Sequence, residues 1–315
     1  MTGTGETTVT VVPTEGADEL LTEEFQAYLA EAHRRFTPRI HQFRQVRSEV
    51  LHRILNDGEK LTHPPVSEVN TCAWKVTPVP EELTKPGIEI SGPASITNMF
   101  INALNAGPDG DRAEGYLDDD EDSSGHRLVD TLAAARNRLG AVERTITFED
   151  TRRGRKYEIQ PGDIPFFMHR ERSLALDEPD VQIDGQAVPA ALLGMALTLF
   201  HVGRAQIDRS KGVYFYLPKL ESADETTWYR DFFDFSAQYL DLPSDAVIKA
   251  IILVESLPAV YQMEEMLHAL GPYGAGLNAA RWDLKASILE YVMADPHAVW
   301  PDRFGVDVKT TDFIS

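Results

Sequence analysis

The stretch that decides the fold begins with Val213-Tyr214-Phe215-Tyr216-Leu217, continues through a helical pattern over residues 224–240 and ends with Ala250-Ile251-Ile252-Leu253-Val254. Both five-residue runs are apolar enough to be buried strands. A helix-length segment separates them, as in a β-α-β unit, in which the two strands pair in parallel. The stretch therefore predicts a parallel α/β architecture.

Similar units lie on both sides of this stretch. We predict further strands at 88–90, 116–117, 145–148 and 274–277, and helices at 96–104, 128–139, 190–201, 259–270 and 284–293. This many alternating units in one domain favours a TIM (β/α)₈-type barrel over an open doubly wound sheet. No Gly-x-Gly-x-x-Gly follows the first strand, which counts against a Rossmann fold.

The chain divides into three predicted regions. Residues 1–19 are rich in Thr, Gly and Glu and are expected to form a disordered tail. Residues 20–86 are expected to hold an N-terminal helical region and a Pro-rich linker. Two amphipathic helices are predicted there, the first capped by Thr22, the second beginning after Pro38 and ending near Gly58. Residues 87–315 are expected to form the barrel.

Charge and cysteine content exclude several classes of function. The formal net charge of -20 over 315 residues argues against binding nucleic acid or docking on an anionic membrane. One cysteine, Cys72, rules out an intramolecular disulfide and indicates a reducing compartment. We find no signal peptide and no apolar run of the ~20 residues that span a bilayer, so we expect a cytoplasmic protein.

Carboxylates follow two of the predicted strands. Glu255 comes directly after the apolar run at 250–254, and Asp283 follows the strand that ends at Leu277. In a barrel the carboxyl ends of all strands meet at one face, where functional residues lie. Two carboxylates and water suit Mg²⁺. Structural salt bridges with Arg281 or Lys219 explain the two acids equally well, and spacing alone leaves both interpretations open.

Three longer motifs carry a family resemblance. They are Tyr214-Phe215-Tyr216-Leu217-Pro218-Lys219-Leu220-Glu221-Ser222, Val254-Glu255-Ser256-Leu257-Pro258-Ala259 and Ala275-Gly276-Leu277-Asn278-Ala279-Ala280-Arg281-Trp282-Asp283. They resemble the signature strand and the two metal-binding segments of malate synthases of the bacterial A type. The resemblance covers the chain from about residue 20 onward. It implies a chain shortened at its C-terminus, without the last barrel strands and the C-terminal helical domain of the family.

The resemblance implies a Mg²⁺-dependent Claisen condensation of acetyl-CoA with glyoxylate, which gives malate and CoA. Glu255 and Asp283 would hold the metal. Gly276, Leu277 and Trp282 would line the glyoxylate site.

The resemblance also implies an arginine that stabilises the enolate oxygen with a fixed, permanently charged fork. Arg170, in His169-Arg170-Glu171-Arg172, matches the family's catalytic arginine, and Arg172 is the second candidate. Asp119 and Glu121 would orient that arginine. The sequence departs from the family here, because Asp120 replaces an aromatic residue between them.

Several alternatives stay open. The family's catalytic base is an aspartate of the C-terminal domain, and no matching residue is found in this chain. The chain is then a fragment, a protomer completed by a partner chain or a homo-oligomer, or a relative with another base, for which Asp119 and Glu121 are candidates. Alternative functions are a CoA-thioester lyase or aldolase on the same barrel, an enzyme for another 2-oxo acid, and an inactive homologue that binds ligand or a partner.

Overall fold

The computed structural model describes residues 7–85 and 87–299, in which strands and helices alternate. The strands are β1 (Val9–Val11), β2 (Glu89–Gly92), β3 (Gly115–Asp119), β4 (Thr147–Asp150), β5 (Arg155–Glu158), β6 (Phe166–Arg170), β7 (Asp177–Ile183), β8 (Gln186–Pro189), β9 (Val213–Leu217), β10 (Ile248–Val254) and β11 (Gly274–Ala279). The helices are α1 (Ala17–Leu20), α2 (Glu23–Asp57), α3 (Glu68–Thr71), α4 (Glu81–Thr84), α5 (Thr97–Leu104), α6 (Leu128–Glu143), α7 (Ala190–Leu197), α8 (Arg204–Ile207), α9 (Ala223–Tyr239), α10 (Leu257–Val260), α11 (Met263–Ala269) and α12 (Arg281–Val292). A π-helical segment, Thr198–Gly203, joins α7 to α8, and a 3₁₀ turn, Gly271–Tyr273, precedes β11.

Six parallel strands form the central sheet, in the order β2-β3-β6-β9-β10-β11. Strands of this sheet that are successive members along the chain are neighbours, and at least one helix follows each of them before the next member, as in a (β/α)₈ barrel. Within the described ranges, β2 and β11 each pair on one side only, so the sheet is not closed. The predicted parallel fold of the barrel type is confirmed, with six strands.

Strand β9 shows why its sequence is apolar throughout. Val213, Phe215 and Leu217 belong to the large core shared with the surrounding helices, whereas Tyr214 and Tyr216 belong to a second cluster on the other face of the sheet. All five residues are buried. A strand covered on both faces has no solvent side, and its sequence therefore lacks the alternation of a half-exposed strand.

Helix α2 is a single helix of 35 residues, where two were predicted. The predicted cap is confirmed: the Thr22 hydroxyl accepts a hydrogen bond from the N–H three residues on, at 3.3 Å, and the helix ends at Gly58, with a φ of 72°. Pro38 lies inside the helix without ending it. Proline removes one helical hydrogen bond, but the buried residues Phe36 and Ile40 continue the same core-facing stripe across it. Packing of that stripe outweighs the local preference.

The N-terminal segment is ordered where a disordered tail was predicted. Residues 9–11 form β1, which pairs antiparallel with β7 in a three-stranded sheet with β8, and α1 follows. Val9 and Val11 pack against the main core, and their backbone groups are satisfied by the strand ladder. The prediction of a tail over 1–19 is therefore wrong for residues 7–19, and residues 1–6 lie outside the described part.

Two further assignments change. The strand predicted at 145–148 is β4, but β4 pairs with β5 in a separate hairpin and is not part of the central sheet. The third place in the sheet, between β3 and β9, belongs to β6, which was not predicted as a strand. The apolar run of β6 is only three residues long, because His169 and Arg170 end the strand.

One helical stretch of the described residues, Ala190–Ile207, is long and apolar enough to cross a membrane, judged by length and composition alone. It covers α7, the π-helical segment and α8. About 83% of it is buried inside the protein. That burial is the property of a core helix, and α7 and the π-helical segment supply residues to the main core.

Candidate functional site

Five charged side chains lie at the carboxyl ends of the central strands, and we call them the strand-end cluster: Asp119, Arg170, Lys219, Glu255 and Asp283. Asp119 and Arg170 are the last residues of β3 and β6. Glu255 follows β10 directly, Lys219 lies two residues beyond β9, and Asp283 lies in the first turn of α12. Parallel strands bring these positions to one edge of the sheet, where the sequence predicted the site.

Arg170 and Asp119 form a two-pronged ion pair. Arg170 Nε donates to Asp119 Oδ1 at 2.8 Å, and Nη2 donates to Oδ2 at 2.6 Å. Burial would raise the pKa of Asp119, but the hydrogen bonds from Arg170 and Ser123 hold it below its ordinary value. The same carboxylate accepts hydrogen bonds from the backbone of Glu121 and Asp122, so the position of the arginine is set by a fixed partner.

Lys219 joins the two halves of the strand-end cluster. Its backbone N–H donates to Glu255 Oε1 at 2.6 Å, and its Nζ donates to Glu121 and Asp122, each at 2.8 Å. Asp283 Oδ2 lies 3.9 Å from the same Nζ. Burial would lower the pKa of Lys219, yet the hydrogen bonds with Asp122 and Glu121 raise it. This lysine is therefore a fixed cation among four acids.

The backbone of Lys219 explains how one residue makes these contacts. Its φ is 53°, in the left-handed region that a residue with a side chain occupies at a cost. That turn directs the N–H to Glu255 while the ammonium group reaches Glu121. From the sequence, Lys219 was predicted only as a possible salt-bridge partner of Glu255 or Asp283, because no local pattern signals the left-handed turn.

Glu255 is the least satisfied group of the cluster. It is 2% exposed, and its Oε2 is a buried atom without a hydrogen-bond partner among the described residues. Burial, and to a smaller extent the charge of Asp283, raise the pKa of Glu255 to about 7. A bare buried carboxylate oxygen beside a second acid is the environment that a divalent cation relieves.

The donor set is small. No group of three or more His, Cys, Asp or Glu side chains suited to a metal ion occurs among residues 7–85 and 87–299. Glu255 and Asp283 fit a cation that takes two carboxylates and completes its shell with water and substrate oxygens, as Mg²⁺ does. The side chain of Asp283 is 40% exposed and accessible for such a role.

The other predicted residues have different surroundings. Gly276 and Leu277 lie in β11 opposite Ile251 and Ile252 of β10. Trp282 is 76% exposed, and Lys285 Nζ lies 5.5 Å from the centre of its ring. The described structure shows no side-chain hydrogen bond or ion pair between these three residues and the strand-end cluster, although Trp282 directly precedes Asp283. Their role in substrate binding therefore stays a prediction.

The structure separates the two arginine candidates. Arg172 is buried and donates to Glu178 Oε2 at 2.8 Å and to the carbonyl oxygen of His126 at 3.1 Å. Its hydrogen bonds therefore stabilise the interior of the protein. Arg170 is the arginine of the strand-end cluster. Glu121 also differs from its predicted part: its carboxylate accepts hydrogen bonds from Lys219 and from the backbone of Ser173, whereas Asp119 holds Arg170.

Comparisons with known proteins agree with this arrangement. A family model described as "Malate synthase, TIM barrel domain" matches residues 166–315. The malate synthase of Streptomyces clavuligerus is 38% identical over 290 residues, which are 91% of this chain and 52% of that protein. Malate synthase A of Escherichia coli strain K12 is 33% identical over 288 residues, with the same two coverages.

A plant relative matches as well. The glyoxysomal malate synthase of Cucumis sativus is 31% identical over 289 residues, 90% of this chain and 49% of that protein. The chain spans about half the length of the curated relatives it matches. The order of the parallel strands and these matches agree on one assignment. The chain belongs to the malate synthase family, and residues 166–315 match that family's TIM barrel domain.

Proposed function

We propose that this protein acts in a malate synthase-type reaction, the Mg²⁺-dependent Claisen condensation of acetyl-CoA with glyoxylate to give malate and CoA. One observation carries the proposal: the unpartnered buried oxygen of Glu255 lies at the same sheet edge as the Arg170–Asp119 ion pair. A cation site and a fixed guanidinium are two of the parts that this reaction needs. The relatives named malate synthase support the choice of substrates.

Glu255 and Asp283 would hold the metal ion. Mg²⁺ bound there supplies Lewis-acid polarisation of the glyoxylate carbonyl. Glu255 is presented by the rigid end of β10 and anchored through one oxygen by the N–H of Lys219, which leaves the other oxygen for the ion. Asp283 reaches the site from α12. Gly276, Leu277 and Trp282 remain our candidates for contacts to the 2-oxo acid.

Arg170 would stabilise the negative charge that develops on the acetyl carbonyl oxygen as the enolate forms. Nε and Nη2 are committed to Asp119, and Nη2 also lies 3.2 Å from Asp122. No protein group among the described residues accepts a hydrogen bond from Nη1. The fork is therefore held from one side and can donate from the other, which is the preorganisation that charge stabilisation requires.

The proton of the acetyl methyl group needs a base, and we assign none within the described residues. Asp119 and Glu121 are poor candidates because each is already committed to a cation, Arg170 and Lys219 respectively. A carboxylate held at low pKa, as Asp119 is, is a weak acceptor for such a proton. Because no base is assigned, a second candidate function is a protein that binds the metal ion and a 2-oxo acid without catalysing a reaction.

The experiment measures two properties of the purified full chain. Thiol release from acetyl-CoA is followed with glyoxylate, with and without Mg²⁺, and Mg²⁺ binding is measured by calorimetry. Thiol release that requires Mg²⁺ and glyoxylate would support the malate synthase reaction. Release with another 2-oxo acid, and not with glyoxylate, would identify that acid as the substrate. Mg²⁺ and glyoxylate binding without release establishes the binding protein. Cleavage of malyl-CoA or a related thioester in place of condensation identifies a lyase.

A matched pair of variants tests the site. We expect Asp283→Asn to lower Mg²⁺ affinity by at least about tenfold, since one of two charged ligands is lost. Asp208→Asn removes an exposed acid just after α8 and is expected to leave the affinity unchanged. Equal Mg²⁺ affinity in Asp283→Asn and the unaltered protein would refute the assignment of the metal site.

A further inference from the structure

A second group of ionisable side chains is buried behind the strand-end cluster, and we call it the Arg138 cluster: Asp118, Asp120, Arg138, His169 and Glu171. All five are at most 5% exposed. Arg138, from α6, contacts all three acids: its Nε lies 3.2 Å from Asp118, its Nη1 donates to Glu171 at 2.8 Å, and its Nη2 contacts Asp120. His169 Nδ1 lies 2.7 Å from Asp118.

The positions of these residues along the chain are informative. Asp118 and Asp120 flank Asp119 in sequence, and His169 and Glu171 flank Arg170. Successive side chains of a strand point to opposite faces, so the neighbours of the reactive pair point away from it. The register is matched: Asp118 lies opposite His169, and Asp119 opposite Arg170.

The Arg138 cluster is therefore the reverse side of the same two strand ends. One guanidinium binds both residues that flank Asp119 and one that flanks Arg170, which joins the end of β3 to the end of β6. The N–H of Asp120 donates to the carbonyl oxygen of Arg170 at 2.9 Å and continues the ladder past the last strand residues. These contacts restrict the movement of the backbone that carries the Arg170–Asp119 ion pair on the other face of the sheet.

The helical side of the cluster is equally specific. Thr198, the first residue of the π-helical segment, donates to Glu171 at 2.5 Å and accepts from Arg138 Nη1 at 2.8 Å. A Cβ at Gly194 would clash with Glu171 Oε2, so a larger residue there would displace that carboxylate from its place beside Arg138. A π-helical turn shifts side chains relative to a regular helix, and here it places a hydroxyl between the arginine and the acid.

We propose that Arg138 is a positioning residue for the Arg170–Asp119 pair, acting through the buried side chains that flank each member of it. The chemical role of the Arg170–Asp119 pair rests on the proposed function. The claim that Arg138 fixes the position of the pair does not depend on it. A buried arginine that faces three acids contributes little net stability, because removing the charges from water costs about as much free energy as their attraction returns. The effect of Arg138 that we infer is geometric: it fixes the end of β3 relative to the end of β6.

The test reads the position of Arg170 directly. In ¹⁵N-arginine-labelled protein, the Nε–H of Arg170 is hydrogen-bonded to Asp119 and is expected to exchange slowly with solvent. Its signal is assigned by its loss in Arg170→Lys. Arg138→Lys keeps one positive charge and removes the fork. We expect exchange of the Arg170 Nε–H to accelerate by at least about tenfold, while backbone amides of β9 and β10 exchange as before.

Two further variants complete the design. Arg136→Lys alters a partly exposed arginine of the same helix, and it is expected to change neither the exchange of the Arg170 Nε–H nor that of the β9 and β10 amides. If Arg138→Lys does not fold, Thr198→Val takes its place, because valine keeps the shape of threonine and removes the hydroxyl between Arg138 and Glu171. A smaller acceleration, again confined to Arg170, is expected from it.

The outcomes separate the two claims. Unchanged exchange at Arg170 in a folded variant, or equal acceleration at Arg170 and throughout the sheet, overturns the positioning role. The second result would mean that Arg138 contributes stability alone. Failure of the unaltered protein to bind Mg²⁺ and glyoxylate removes the proposed function, whereas the exchange measurement still decides whether Arg138 fixes the ion pair.

Discussion

Glu255 concentrates the chemistry of the site in one atom. Its Oε1 is fixed by the N–H of Lys219, and its Oε2 is buried without a protein partner. The position of this residue was predictable, because it directly follows the apolar run at 250–254 that forms the end of β10. Its surroundings were not predictable, since the N–H that anchors it belongs to Lys219, 36 residues earlier, in a left-handed turn that no local pattern signals.

Replacement of this carboxylate by an amide tests its role. Glu255→Gln keeps the shape and removes the charge that binds the cation. We expect the rise in melting temperature caused by millimolar Mg²⁺ in the unaltered protein to disappear, because only binding to the folded state stabilises it. At pH 8 without metal, the variant is expected to be more stable by on the order of 1 kcal/mol, since a buried charge is lost. A Mg²⁺-induced rise that survives in Glu255→Gln contradicts the assignment.

Asp120 gives a prediction on the dependence of stability on pH. Burial raises the pKa of Asp120 to about 7, with Arg138 opposing the shift and Glu171 and Asp118 adding to it. A carboxyl whose pKa is higher in the folded than in the unfolded state stabilises the fold at low pH. That contribution is lost as the pH rises from about 4 through about 7.

Asp120→Asn carries no such proton. We therefore expect the free energy of unfolding of the variant, relative to the unaltered protein, to rise by roughly 1–3 kcal/mol between pH 5 and pH 8. Denaturant unfolding at several pH values measures this, with Asp208→Asn as the exposed control. A difference that stays constant over this range would show that Asp120 does not take up a proton in the fold.

At the scale of elements, the sequence indicated the type of most strands and helices but not every partner. β9, β10 and β11 could be predicted because each is a short run without a helical period. β6 was missed because its end carries His169 and Arg170. β4 was found but assigned to the wrong sheet, since pairing with β5 depends on contacts that a local pattern does not contain. Arg138 was missed for the same reason: it lies in an ordinary helix, and its partners come from the ends of β3 and β6 and from the π-helical segment.

Helix α2 shows packing that overrides a local signal. Pro38 leaves the carbonyl group of Arg34 without its helical donor, and the helix nonetheless continues for 19 more residues to Asp57. We expect Pro38→Ala to raise the free energy of unfolding by about 1–3 kcal/mol. Gln42→Ala, an exposed change in the same helix, is expected to alter it by no more than about 0.5 kcal/mol. Chemical denaturation of both variants measures the effect, and a destabilised Pro38→Ala would mean that the core requires the proline geometry.

At the scale of the whole molecule, stability is expected to vary across the central sheet. β9 is buried along its whole length between two neighbours, whereas the last three residues of β11 are exposed and β11 has a partner on one side only in the described structure. We expect amides of β9 to exchange slowest and those of β11 and α12 fastest. Hydrogen exchange followed by mass spectrometry measures this gradient.

Mg²⁺ should change that gradient. An ion held by Glu255 and Asp283 would join β10 to α12, so its addition is expected to slow exchange in β11 and α12 and to leave β3 and β6 as they were. Equal slowing in every strand would indicate a general effect of the ion on stability. No slowing in α12 would mean that Asp283 takes no part in binding.

The pairing of β1 with β7 has a consequence for the order of folding on the ribosome. Val9 lies opposite Ile183, so β1 is synthesised long before the strand with which it pairs. At ordinary rates of translation this delay is roughly ten to thirty seconds. Throughout that interval an apolar, β-prone segment of the nascent protein stays unpaired. The N-terminal strand is consequently among the last elements to dock, and a bulky tag fused in front of it would interfere with completion of the fold rather than with its start.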